Sequence, residues 1–300
     1  MSNEPQLERT GQGLLIRAPG KINLSLLIAG KRPDGYHAIE TLMAKISLFD
    51  EIHIEPGTTE GIELTCKGPH WAPEGGENLV YKAAELLLDA TGHSSNVRIT
   101  LTKNMPAGSG LGSASSDAAA TLIGLNKFLG LTMRDAALAD LAARLGSDVG
   151  FFIYGPLSMC TGRGEIVRPI IPSYEFTALL VLPEVMVSTK DVYSNYVHDP
   201  EVYQRLHRKI EHLLRSGQID AIAKSGANML ARTCYSFSPH LADLREEIAS
   251  LGIGPVCLSG SGSAMFCVIE SREGKHARRF QRMVKERTGC DSIIVTNVPW

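Results

Sequence analysis

Three stretches of the chain carry residue types suited to binding phosphate and moving a proton. The densest is Pro106, Ala107, Gly108, Ser109, Gly110, Leu111, Gly112, Ser113, Ala114, Ser115 and Ser116. Glycines at alternate positions let the backbone turn sharply and approach a ligand without a Cβ in the way. Ser113, Ser115 and Ser116 add hydroxyl donors. An apolar helix pattern follows through about residue 129, and a helix start supplies unpaired N–H groups and the positive end of a dipole. Such a run suits a phosphate. It is not a Walker A loop, because no Gly-Lys-Ser/Thr closes it. It is not a dinucleotide fingerprint, because Ser113 stands where the third glycine belongs. Read alone, it also fits a flexible turn followed by a helix cap.

The second stretch is Ala18-Pro-Gly-Lys-Ile-Asn23. Lys21 and Asn23, two apart on a strand, share one face, while Ile22 and Leu24 share the other. In isolation this also describes a solvated strand face. The third is Gly146-Ser-Asp-Val149, where Asp148 precedes the apolar pair Phe151-Phe152. A carboxylate entering an apolar segment needs a partner, although a helix cap or turn aspartate looks the same. If Lys21 and Asp148 met, they would form a base and cation suited to deprotonating a hydroxyl.

A further glycine cluster, Ser259-Gly-Ser-Gly262, could shape a turn against the first loop or be a plain hairpin turn. The nine histidines show no metalloprotease spacing, and no nucleophile elbow sits in a strand–turn–helix context.

The elements that must hold these residues follow from periodicity. Residues 14–55 alternate as strands, interrupted by Arg32-Pro-Asp-Gly-Tyr-His37, whose Pro-Asp-Gly is strong turn chemistry. That turn would present Tyr36 and His37 on a projecting loop. Residues 78–91 carry a helical stripe, 97–103 alternate as a half-buried strand, and 134–145 form a second helix. Residues 148–190 read as short strands and turns. Helices are expected at 190–196, 202–216, 220–230, 239–251 and 276–287, with β-type residues at 255–269 and a last strand at 292–298. The fold class is α+β, a strand-rich first half and a helix-rich second half, in two domains spanning 1–170 and 171–300.

Composition excludes several classes of function. Thirty basic and thirty-two acidic residues give a net charge of −2, so no global field holds nucleic acid or an anionic membrane surface. The polar start of the chain resembles no signal peptide, and no apolar run approaches a membrane span. Six scattered cysteines without a CxxC pair suggest reduced thiols and a cytoplasmic location.

Taken together, these motifs resemble the GHMP kinase superfamily, whose phosphate motif the loop 106–116 matches. Within it, the Pro-Asp-Gly-Tyr-His segment, Gly162-Arg-Gly-Glu165 and Val187-Ser-Thr189 make the chain similar to the 4-diphosphocytidyl-2-C-methyl-D-erythritol kinases of the non-mevalonate isoprenoid pathway. The resemblance implies an amino-terminal ribosomal-S5-like domain that binds ATP, a carboxy-terminal GHMP kinase domain and a cleft between them. It implies transfer of the ATP γ-phosphoryl to the C2 hydroxyl of the methylerythritol moiety. Lys21 and Asp148 match the catalytic pair, and Asn23, Tyr36, His37 and Thr189 match substrate-side positions. Mg²⁺ is expected on phosphate oxygens with Ser115 or Ser116. The implied partner is the cytidine diphosphate methylerythritol substrate, with the protein a monomer or homodimer. The alternatives are another small-molecule GHMP kinase or a GHMP-fold sensor without catalysis. Ser113 and Ala114 stand where the narrower family more often carries glycine.

Overall fold

The computed structural model describes residues 7–171, 174–269 and 274–298. The first six residues, part of the polar start noted above, lie outside these. A seven-stranded sheet contains β1 (Leu7–Thr10), β2 (Gly13–Lys31), β3 (His37–Pro56), β4 (Ile62–Lys67), β5 (Val97–Thr102), β6 (Leu157–Gly162) and β7 (Ile166–Pro169). Its main order is β1-β2-β3-β5-β4, and β6 pairs with both β3 and β7. Four helices pack with it: α1 (Leu79–Thr91), α2 (Ser113–Phe128), α3 (Asp135–Leu145) and α4 (Val149–Ile153). Ile16, Ile52, Ile99, Leu122 and Phe151 belong to the core they share.

The second sheet is antiparallel. It contains β8 (Thr177–Val181), β9 (Cys257–Leu258), β10 (Met265–Ile269) and β11 (Ser292–Thr296), in the order β11-β8-β10-β9. Around it lie α5 (Thr189–Ser194), α6 (Pro200–Arg215), α7 (Ile219–Ala223), α8 (Ala231–Phe237), α9 (Pro239–Ser250) and α10 (Gly274–Thr288). The sheets are joined at β3, where Ile46 bridges Asn297 and Thr296 N–H donates to Ser47 Oγ at 2.9 Å. Among the described residues no helix is long and apolar enough to cross a membrane, and none of the six cysteines is in a disulfide.

The long hairpin β2–β3 positions the chemistry. Its register shifts between Pro19 and Gly20, Asn23 and Ser25, and Ile28 and Gly30. Bulges bend a strand and re-aim its side chains, and the first two bracket Lys21 and Asn23. Both faces of β2 are covered here. Ile22 and Leu24 pack into a core shared with Ala178, Ile222 and Phe266 of the second unit, and Lys21 and Asn23 are each only 4% exposed. The solvated-face reading of Lys21 and Asn23 therefore falls.

Four other expectations change. Ser113 to Ser116 form the first turn of α2 rather than loop. Helical φ and ψ accommodate a Cβ, so Ser113 and Ala114 need no glycine there. Residues 149–153 are helical, because a short all-apolar run does not reveal its period. The helix expected over 220–230 stops at Ala223, near Gly226 at φ +61°, and a separate helix α8 follows where none was expected. His37 is the first residue of β3, while Tyr36 remains in the turn and is 56% exposed.

Candidate active site

The glycine-rich loop is anchored from below and from the side. At its base, Asp50 Oδ1 accepts the Met105 N–H at 2.9 Å, and the Lys103 ammonium bridges Asp50 and Asp117. Burial raises the pKa of the Asp117 carboxyl, against the opposing pull of Lys103 and with the neighbouring Asp50 carboxylate adding to the rise. Leu111 is fully buried and accepts the Lys21 N–H at 2.8 Å, tying the loop to β2. From the second unit, Ser259 Oγ donates to Gly110 O at 3.0 Å, and Ala264 N–H donates to Ser109 O at 2.9 Å. The cluster Ser259–Gly262 thus packs against the first loop. At Gly110, φ is +82° and an added Cβ would lie 2.2 Å from Ser259 O, so only glycine fits. At Gly112, φ is +67° and a Cβ would press on the Lys21 side chain at 3.1 Å. Beyond it, the first-turn N–H groups of α2 lack helical partners, an arrangement able to cradle an anion.

Lys21 and Asp148 meet across this cradle. Lys21 Nζ lies 3.6 Å from Asp148 Oδ2 and donates to Asn23 Oδ1 at 2.7 Å. Asn23 Nδ2 donates to Thr41 Oγ1 at 2.7 Å, and Thr41 donates on to Ser25 O. This chain fixes the amide so that its oxygen faces the ammonium. Asp148 precedes α4, and its side chain caps none of that helix's N–H groups. Its side chain is 32% exposed, so the carboxylate remains open to a ligand.

An aromatic group lies at the other end. His37 packs at 5.6 Å from the Tyr193 ring, tilted, and at 5.8 Å from Tyr196, edge-on. The Arg163 guanidinium stands 5.0 Å from the Tyr36 ring centre, a cation–π arrangement. Burial, with Lys31 and His198 nearby, lowers the His37 pKa, which favours the neutral imidazole. Burial, helped by the charge of Asp148, raises the Tyr193 phenol, so it stays protonated. Tyr36 N–H donates to Asp34 Oδ1 at 3.1 Å, and Arg32 N–H donates to Tyr36 O at 2.7 Å, so the turn is internally braced.

These parts line one cavity of about 840 Å³. Of the residues named from the sequence as catalytic, phosphate-binding or substrate-side, all but Leu111 and Ser116 line it. Leu111 is the buried anchor beneath the loop, and the Ser116 hydroxyl is buried without a partner among the described residues. Ser115 lines the cavity. Thr189 Oγ1 lies 2.8 Å from Ser261 Oγ, joining α5 to the second glycine cluster. Sequence reasoning missed Thr41, Arg163, Tyr193 and Tyr196. Arg163 lay inside a motif noted for its resemblance alone. Tyr193 and Tyr196, three apart on an expected helix, share one face, and that spacing was the available signal.

Residues 78–156 match the family described as GHMP kinases N terminal domain, and residues 210–287 match GHMP kinases C terminal. The chain is 38% identical over 288 residues to the 4-diphosphocytidyl-2-C-methyl-D-erythritol kinase of Geobacillus sp. (strain WCH70), covering 95% of this chain and 96% of that one. It is 35% identical over 281 residues to the enzyme of that name from Bacillus cereus (strain B4264), covering 93% and 95%. A crystal structure of 4-(cytidine 5'-diphospho)-2C-methyl-D-erythritol kinase superposes with a TM-score of 0.76 at 33% identity, over 94% of this chain and 98% of the other. A homoserine kinase from Cytophaga hutchinsonii superposes equally well, TM-score 0.76, over 97% of this chain and 96% of the other, at 19% identity, a likeness of fold alone. With the cradle, the lysine–aspartate pair and the aromatic end in one cavity, and with relatives matched over nearly their whole length, this chain belongs to the 4-diphosphocytidyl-2-C-methyl-D-erythritol kinase family of the GHMP kinases.

Proposed function

We propose that this protein transfers the γ-phosphoryl of ATP to the C2 hydroxyl of 4-diphosphocytidyl-2-C-methyl-D-erythritol. The observation that carries the reading is the position of the Lys21–Asp148 pair, which shares one cavity with the phosphate cradle and with Tyr36 and His37. The names of the relatives supply the acceptor.

ATP lies with its phosphates against the loop 106–112 and the first turn of α2. The cytidine end of the acceptor reaches Tyr36, whose flat face stacks on the base, and His37, whose imidazole offers hydrogen-bonding groups to the base edge. Asn23 and Thr189 face the acceptor between these ends. In the transfer step the C2 oxygen bonds to the γ-phosphorus, the bond to the β–γ bridging oxygen breaks, and ADP leaves. The hydroxyl proton passes to the Asp148 carboxylate. Lys21 holds Asp148 in place and offsets charge on the transferred group. Alignment and electrostatics dominate such reactions, so a well-held carboxylate suffices as base.

Hydroxyls of Ser113 and Ser115 and the carboxylate of Asp148 line the same cavity, and this all-oxygen set fits Mg²⁺. Ser115, rather than the enclosed Ser116, would hold the ion together with phosphate oxygens. When bound there it neutralises phosphate charge. The test is ADP release by the purified protein with Mg²⁺-ATP, offering the cytidyl substrate, mevalonate or homoserine. Turnover of the cytidyl substrate alone is expected. Turnover of another alcohol instead would overturn the assigned acceptor and the roles of Tyr36 and His37.

A further inference from the structure

Lys45 lies directly opposite Lys21 in the β2–β3 ladder. Residues paired in this way project from the same face of a sheet. The two lysines reach opposite ends of one short helix. Lys21 meets Asp148, which immediately precedes α4. Lys45 Nζ donates to Phe152 O at 3.0 Å and to Tyr154 O at 2.6 Å, at the other end.

Helix α4 spans only Val149–Ile153. So short a helix does not sustain itself, because nucleation is costly and few internal hydrogen bonds repay it. Its position depends on outside ties. The carbonyls at a helix C-terminus lack partners within the helix and carry its negative dipole end. A donor cation is the group that meets both needs. Lys45 is 3% exposed, and burial pushes its ammonium down to about 7. Both hydrogen-bond partners of its ammonium are carbonyls. A neutral amine still carries two N–H groups, so the tie outlasts deprotonation. The Lys45 backbone is held as well: its N–H donates to Pro156 O at 2.9 Å, and its carbonyl accepts the Val298 N–H at 3.3 Å. Phe152 on α4 also borders Gly112, where a Cβ would come within 3.2 Å of its ring. A shift of α4 would therefore disturb both Asp148 and the end of the phosphate loop.

We propose that Lys45 is a positioning residue for phosphoryl transfer: it fixes the C-terminal end of α4 and so holds Asp148 in line with the acceptor hydroxyl. The inference rests on the reading of Asp148 as proton acceptor. Placement errors on the order of 1 Å cost roughly 100-fold in such steps.

The test is a double-mutant cycle read by single-turnover phosphoryl transfer. Lys45→Met keeps length and burial and removes both donors. Its rate should fall about 10- to 100-fold with the KM for ATP nearly unchanged. In an Asp148→Asn background the same change should alter the residual rate less than about twofold, because the two residues act as one unit. A wild-type rate in Lys45→Met, or an equal loss in both backgrounds, would overturn the proposal. If Lys45→Met does not fold, Lys45→Arg and Lys45→Gln decide. Arginine keeps the paired donors and should retain most of the rate, whereas glutamine is too short to span both carbonyls and should lose it. Equal rates in these two would overturn the proposal. A wild-type rate in Asp148→Asn alone would instead remove the role of Asp148 on which the inference stands.

Discussion

The Lys21 ammonium lies 3.6 Å from the Asp148 carboxylate and 2.7 Å from Asn23 Oδ1. One side chain thus ties a bulged strand to the start of a short helix beside the glycine-rich loop. Lys21→Met keeps the buried methylenes and removes the charge. It should lower kcat by about 100- to 1,000-fold, as loss of one preorganised charge-stabilising group does, with a much smaller change in the KM for ATP. Steady-state ADP release checks this. Loss confined to KM would mean that Lys21 only binds substrate.

Gly110 and Gly108 both adopt positive φ, +82° and +69°, but only Gly110 has a backbone oxygen in the way of a Cβ. Gly108→Ala should cost about 1–2 kcal/mol of stability from backbone strain alone. Gly110→Ala should cost more and also raise the KM for ATP, because Ser259 O must move away from the loop. Thermal unfolding and ATP titration of both variants test this. Equal behaviour of the two would contradict the packing of the second glycine cluster on the loop.

Tyr36 is exposed, braced by its turn and faced by Arg163. Tyr36→Phe keeps the stacking face and should change the acceptor KM little. Tyr36→Ala should raise it by about 5- to 150-fold, the equivalent of roughly 1–3 kcal/mol of base stacking, with the KM for ATP unchanged. An equal effect on both substrates would place Tyr36 outside the nucleobase site.

Burial lowers the Lys45 ammonium from 10.5 to about 7. Between these values the unfolded chain holds more protons at this group than the folded one. Its contribution to stability therefore rises with pH across that window, by at most about 1.4 kcal/mol per pH unit, and is lost as pH falls towards 7. Lys45→Met removes this slope. Denaturant unfolding of both proteins from about pH 6.5 to about pH 9.5 should show the wild type gaining on the variant as pH rises. A pH-independent difference would contradict the lowering of the Lys45 pKa by burial.

Local pattern revealed what local physics determines. Alternation revealed the β2–β3 hairpin, and the stripe of Ala83 and Leu87 marked α1, which Asn78 and Gly92 cap at its two ends. Glycine spacing marked the sharply turning loop before α2. The approach of Ser259 to Gly110 joins segments far apart in the chain, and the sequence left it open between a turn against the first loop and a plain hairpin turn. Two further features escaped. The five apolar residues of α4 fit a strand or a helix equally well. Nothing in its own segment marked Lys45, because the carbonyls that its ammonium meets lie at the end of α4, far along the chain. Ser115 and Ser116 were inseparable in sequence, and the helical turn from Ser113 separates them by bringing one to the cavity and enclosing the other.

The most direct test of the account is rapid-quench phosphoryl transfer in wild type and Asp148→Asn, with ATP and the cytidyl acceptor both saturating. The account predicts a transfer rate lower by about 100- to 10,000-fold in Asp148→Asn, the usual contribution of a positioned general base, with both substrates still bound at near-normal affinity. A wild-type transfer rate in Asp148→Asn would contradict it.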